Sequence, residues 1–176
     1  MNFDQPFDFT GKVAVITGGG GVLCNTLART LARCGASAAV VDINLPAAEK
    51  VADEIRAQGG QAIAIRADML DKESLLAAAQ RITDAFGHID ILINGAGGNK
   101  KEATTSDDLS FFDLPADAIR WVFELNCIGT VLPSQVFGRY MVEQGSGCII
   151  NISSMAAFRP LTRTAAVHRR LPRLKN

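Results

Sequence analysis

The sequence is short of the features that mark several protein classes. Its 176 residues hold four cysteines, Cys24, Cys34, Cys127 and Cys148, far apart and never at Cys-x-x-Cys spacing. That argues against a disulfide scaffold or a structural zinc site and fits free thiols in a reducing compartment. The two histidines, His88 and His168, have no partners at metal-ligand spacing, so both read as surface residues and no metal is expected. No apolar run approaches the roughly 18 residues a transmembrane helix needs. Residues 1–9 carry acids and no basic side chain, so a secretory signal is not expected and a cytoplasmic location is. Repeats and low-complexity segments are missing. Net charge is missing too: eighteen basic side chains balance eighteen acidic ones, and no global field draws in nucleic acid or an anionic membrane.

That neutrality is a cancellation. Residues 1–158 carry 12 basic and 18 acidic side chains, whereas from Arg159 onward there are six basic residues and no acid. The chain is therefore read as an acidic body, 1–163, and a basic tail, 164–176, expected to lie outside the native fold.

What is present is a core-forming composition, 48% hydrophobic and 20% charged, with length for one domain. Apolar runs suited to strands buried on both faces stand at 12–17, 38–42, 61–67, 89–94 and 147–153. Helical patterns lie between them. The first, 22–34, places Val22, Leu23, Leu27, Leu31 and Cys34 on its apolar face and stops at Gly35. The second, 46–58, opens on Pro46, and the third is capped by Asp71. One long helix is expected from about Pro115 to Gln144, after a polar loop over 95–113. This βαβαβαβαβ order predicts an α/β fold, a doubly wound parallel sheet with strand order 3-2-1-4-5. Ligands of such sheets bind beyond the carboxyl ends of the strands, at the switch between strands 1 and 4.

The residues at those strand ends carry chemistry. Thr17-Gly18-Gly19-Gly20-Gly21-Val22-Leu23 joins a strand to a helix, where glycines let the backbone approach a pyrophosphate and helix N–H groups face it. Gly18, Gly20, Gly21 and Leu23 are the candidate contacts. No Gly-Lys-Ser/Thr follows, so this is not a P-loop. Asp42 ends strand 2, placed to accept hydrogen bonds from ribose hydroxyls. It would repel a 2′-phosphate, and no arginine follows at Ile43 or Asn44, which favours NAD over NADP; the acid also suits S-adenosylmethionine. Asp68 and Met69 end strand 3. They serve either an adenine, by hydrogen bond and ring cover, or the next helix as an N-terminal charge. Asn94, Ala96 and Gly97 end strand 4, where Asn94 can tie neighbouring strands together and small residues leave room for a nicotinamide or ribose. Asn126, a polar amide among apolar residues, must satisfy a helix carbonyl or hold a water. Ser154, beyond strand 5, either bonds a substrate oxygen or caps a helix.

In order and spacing this set resembles the short-chain dehydrogenase/reductase family, over about residues 11–163. The GGGGVL loop, the GGNKKEATTSDD insertion and the Asn-Ile-Ser-Ser-Met stretch look like the subgroup labelled D-mannonate oxidoreductase. The resemblance implies an NAD(P)-dependent oxidoreductase that moves hydride to or from a carbonyl or alcohol, with a sugar acid such as mannonate or fructuronate as substrate. It further implies Ser154 polarising the substrate and Asn126 supporting a water relay, usually in a homo-oligomer. Two departures stand out. In the family's T-G-x-x-x-G-x-G pattern the last two glycines fall on Val22 and Cys24. The family's catalytic Tyr-x-x-x-Lys is absent: Val167 stands thirteen residues after Ser154, and the one tyrosine, Tyr140, is followed four residues later by Gln144. The chain is therefore expected to lack the C-terminal part of the fold, to be catalytically defective and to have low stability. Reading Leu171–Lys175 one base later permits Tyr-Pro-Ala-Ser-Lys, so a frameshift near 164–166 is one account of the tail, and a basic arm for RNA is another. Beside the oxidoreductase stand two alternatives, a non-catalytic dinucleotide-binding remnant and a Rossmann-like methyltransferase.

Overall fold

A computed structural model of the chain describes residues 7–154. Its strands are β1 (Val13–Thr17), β2 (Ser37–Asp42), β3 (Ala62–Arg66), β4 (Ile91–Asn94) and β5 (Cys148–Asn151). They pair in parallel in the order β3-β2-β1-β4-β5, as the alternation of patterns requires. The helices are α1 (Val22–Arg33), α2 (Leu45–Ala57), α3 (Lys72–Phe86), α4 (Ala116–Phe123) and α5 (Gly129–Glu143).

Strand side chains alternate between faces, so continuous apolar runs make both faces of the sheet apolar. Val13, Val15, Val41, Ile65 and Leu92 pack with Leu75 and Ile82 of α3 and Phe137 of α5. Ala14, Ile16, Val40 and Ile93 pack on the other side with Cys24 and Ala28 of α1 and Val51 and Ile55 of α2. Local signals set the helix ends. Asn44 accepts the Ala47 N–H ahead of α2, and Asp71 accepts the Glu73 N–H ahead of α3. Gly87, at φ 86°, closes α3.

One expectation fails and another is refined. The buried residues of α1 are Cys24, Ala28 and Ala32, while Val22 and Leu23 are 88% and 59% exposed. Small side chains let α1 lie close to the sheet, and its first-turn apolar residues are left over the strand ends. The long helix over 115–144 is present, helical from Ala116 to Glu143, but its pitch is not uniform. A π turn over Glu124–Ile128 separates α4 from α5. The Asn126 side-chain amide donates to Val122 O at 2.7 Å, inserting into the i→i−4 ladder as kinks require.

The loop after β4 is anchored on α4. A 3-10 turn over Lys101–Ala103 buries Ala103 against Ala118 and Val122 of α4. Lys100 lies over the Trp121 ring, 4.5 Å from its centroid.

At the amino end of β4, Asp90 is 8% exposed and joins three elements. It accepts the Val13 N–H at 2.9 Å and pairs with Lys12 at 3.0 Å and His88 at 2.9 Å. Burial pushes its carboxyl up, but the Val13 and Lys12 bonds and the nearby His88 and Lys12 charges outweigh it. The net shift is below the usual carboxylate value. Strand β5 differs from its neighbours, since all four of its residues are exposed.

Candidate functional site

The carboxyl ends of β1 to β4 surround a cavity of about 350 Å³. Its wall brings together Gly18, Gly21 and Leu23 from the first loop, Asp42 from β2, and Asp68 and Met69 after β3. Ala96 and Gly97 after β4 complete it. This is the switch point of the sheet, where β1 lies between β2 and β4.

The first loop is shaped by close approach. Gly18 has φ +64°, and a Cβ there would lie 2.9 Å from the Ala96 backbone. A Cβ on Gly20 would lie 2.7 Å from the Ala47 methyl and 3.1 Å from Asp42 Oδ2. Side chains are thus excluded where a ligand phosphate would meet backbone. Gly21 starts α1 with no side-chain cap and no acid in the first turn, which leaves the helix N-terminus available to an anion.

Asp42 links that loop to the next. Its Oδ2 accepts the Gly20 N–H at 3.0 Å and its Oδ1 accepts the Asn44 N–H at 2.9 Å. A carboxylate held from both sides at the cavity edge is a ready acceptor for further hydroxyls. Asp68 accepts the Leu70 N–H at 2.9 Å, while Met69 is buried in the core as well as lining the cavity.

Beneath the cavity, Thr17 Oγ1 accepts the N–H groups of Gly95 at 3.1 Å and Ala96 at 3.2 Å, tying β1 to the turn after β4. Asn94 is 3% exposed and donates at 2.8 Å to both Ser134 Oγ and Asn151 Oδ1, so it ties β4 to α5 and β5. Asn126 does more than fill a helix carbonyl. It donates to Gly98 O at 2.7 Å and accepts the Gly98 N–H at 3.2 Å, gripping the chain just past Gly97. Its side-chain bonds thus run to Val122 and to the loop, which fixes the end of the cavity floor.

Ser154 is exposed, three residues past β5, and stands outside the cavity wall. Tyr140 packs on the core, and Gln144 one turn later donates to Ile89 O, at the amino end of the sheet and away from the cavity. The candidate set missed Val22, Cys24, Ile43, Ala67, Gly95 and Leu125, which also line the cavity. Cys24 was read as a free thiol at a family-glycine position and Leu125 as a neighbour of Asn126, and nothing in helical periodicity marks which turn reaches a ligand. Burial pushes the Cys24 thiol up, and the Asp42 charge adds to this. The frameshift, the RNA arm, His168 and the Val167 position concern residues outside those described. Among the described residues, no helix is long and apolar enough to cross a membrane and no three metal-ligating side chains come together.

A glycine turn at a helix start, an acid at the end of β2 and a small-residue ledge after β4 define a dinucleotide-binding α/β domain. The family model for short chain dehydrogenase matches residues 12–166, and the chain belongs to that family of oxidoreductases. An uncharacterized oxidoreductase of Haemophilus influenzae is 44% identical, over 94% of this chain and 62% of its own length. The 7α-hydroxysteroid dehydrogenase of Escherichia coli is 40% identical, over 84% of this chain and 54% of its own. A solved Haemophilus chain with bound NAD, provisionally named a D-mannonate oxidoreductase, superposes at TM-score 0.87. It is 44% identical and covers 94% of this chain and 63% of its own. The chain thus spans about 60% of the length of the uncharacterized oxidoreductases it matches. Family membership sets aside the methyltransferase alternative.

Proposed function

We propose that the cavity holds a nicotinamide dinucleotide, NAD in preference to NADP, and that the chain supplies the cofactor-binding part of an oxidoreductase. Asp42 carries this reading: its carboxylate is fixed at the cavity edge by the Gly20 and Asn44 N–H groups, beside the glycine turn. Residues 18–21 and the start of α1 would hold the pyrophosphate, Asp42 the adenosine ribose, Asp68 and Met69 the adenine, and Ala96 and Gly97 the nicotinamide side. The glycine cradle, where a Cβ at Gly18 or Gly20 would collide, fits such a group. The bound cofactor would supply hydride exchange with a carbonyl or alcohol. This chain's residues would orient it: Asn126 by fixing Gly98, Thr17 by fixing Gly95 and Ala96. Ser154 is assigned to the substrate oxygen.

The substrate proposed is a sugar acid, supported by the Haemophilus neighbour's name. The 176 residues contain no Tyr-x-x-x-Lys, and a phenol with pKa near 10 needs a cationic partner to exchange protons near neutral pH. We therefore assign the chain cofactor binding with little or no turnover, and a non-catalytic dinucleotide binder is the second reading. NADH fluorescence titration tests the first claim. We expect saturable binding, weaker NADPH binding, and about tenfold or greater loss for NADH in Asp42→Ala. Equal affinity for NADPH would overturn the preference, and measurable turnover by the purified chain would overturn the assignment of inactivity.

A further inference from the structure

We infer that Cys24 and Gly95 are a size-matched pair that sets the seam between the two loops facing the dinucleotide, a role that rests on the cofactor reading above. β1 and β4 are neighbours, and the loops beyond their ends close on each other through three contacts. Thr17 Oγ1 accepts the Gly95 and Ala96 N–H groups. Gly18 meets the Ala96 backbone. Cys24 covers Gly95: a Cβ at Gly95 would overlap Cys24 Sγ, while lying 3.7 Å from Cys24 Cβ and 3.1 Å from Thr17 O.

The family pattern to which the first loop is similar has glycine at position 24, and here that position carries a side chain that faces a residue without one. Cys24 is 4% exposed, so its sulfur has no solvent to retreat into. Its raised thiol pKa keeps it a neutral packing group. Both residues line the cavity. Cys24 also lies in the first turn of α1, whose N-terminus faces the phosphate position. Bulk added at Gly95 must therefore displace Cys24 Sγ, either turning it into the cavity or moving the helix start away from the ledge at 95–97, and each outcome disturbs a surface that a single dinucleotide has to touch.

The test is a double-mutant cycle of Gly95→Ala, Cys24→Ala and both together, read by NADH fluorescence titration and by melting temperature. The size match predicts about tenfold weaker NADH binding in Gly95→Ala. Removing the sulfur leaves the 3.7 Å Cβ contact and a tight 3.1 Å approach to Thr17 O, so the double variant should recover most of the loss, to within about threefold of the unaltered protein. NADH affinity unchanged in Gly95→Ala, or not recovered in the double variant, overturns the role. Coupling in melting temperature without coupling in affinity overturns it as well, since the pair would then be structural only. If the unaltered protein fails to bind NADH, the cofactor reading falls first. The pairing is then judged on melting temperature, where recovery in the double variant supports it and no recovery overturns it.

Discussion

Strands β1 and β5 are alike in sequence and opposite in circumstance. β1 reads VAVIT and all five residues are buried; β5 reads CIIN and all four are exposed. β1 has a hydrogen-bonded strand on each side, and its side chains enter both core clusters. Among the described residues β5 pairs only with β4, and it meets α5, where Ile149 approaches Gly138. The same isoleucine side chain is 0% exposed at Ile16 and 45% exposed at Ile150. Apolar composition makes a strand fit for burial; the elements packed on it decide how much burial is realised.

The largest expected effect breaks that comparison directly. Ile16→Ala should cost about 3 kcal/mol of unfolding free energy, and Ile150→Ala less than about 1 kcal/mol. Chemical denaturation of both variants measures this, and similar losses would mean that β5 is covered in solution.

A smaller effect is expected where the two strands are joined. Asp90 holds the Val13 N–H with its side chain and the Cys148 N–H with its backbone oxygen, so it links the entries of β1, β4 and β5. Its native carboxyl titrates below the unfolded value near 3.9. Its contribution is therefore complete above that value and is lost as pH falls through the native one. Asp90→Asn should cost about 2 kcal/mol at neutral pH, and its deficit should shrink as pH drops below about 4. A deficit that stays constant down to pH 2 would assign the loss to packing rather than charge.

The smallest effect sharpens the comparison on the α5 side. Asn126→Ala frees Gly98 and removes the side-chain bond to Val122 O. Stability should fall by about 1 kcal/mol or less, while amide exchange at Gly98 rises clearly. Unchanged exchange at Gly98 would show that the loop is held by the Ala103 anchor alone.

Much of this was legible without coordinates. Strand order followed from alternating patterns, because parallel neighbours need helical crossovers of one hand. Asp42 was legible because an acid at a strand end has few structural uses there. The burial pattern of α1 was not, since alanine and cysteine carry too little hydrophobic weight to outvote Val22 and Leu23 in a periodicity count. The π turn within the long helix was not legible either. Asn126 was marked as needing partners, but which partner it takes depends on where the loop carrying Gly98 passes.

The sequence by itself determined the α/β class, the parallel sheet and the strand ends at which the site lies, because periodicity and glycine placement act through local backbone preference. Only the tertiary structure decided that Cys24 covers Gly95, that Asp42 braces Gly20 and that β5 is left exposed. Those outcomes depend on distances between segments far apart in the chain, which no local pattern encodes.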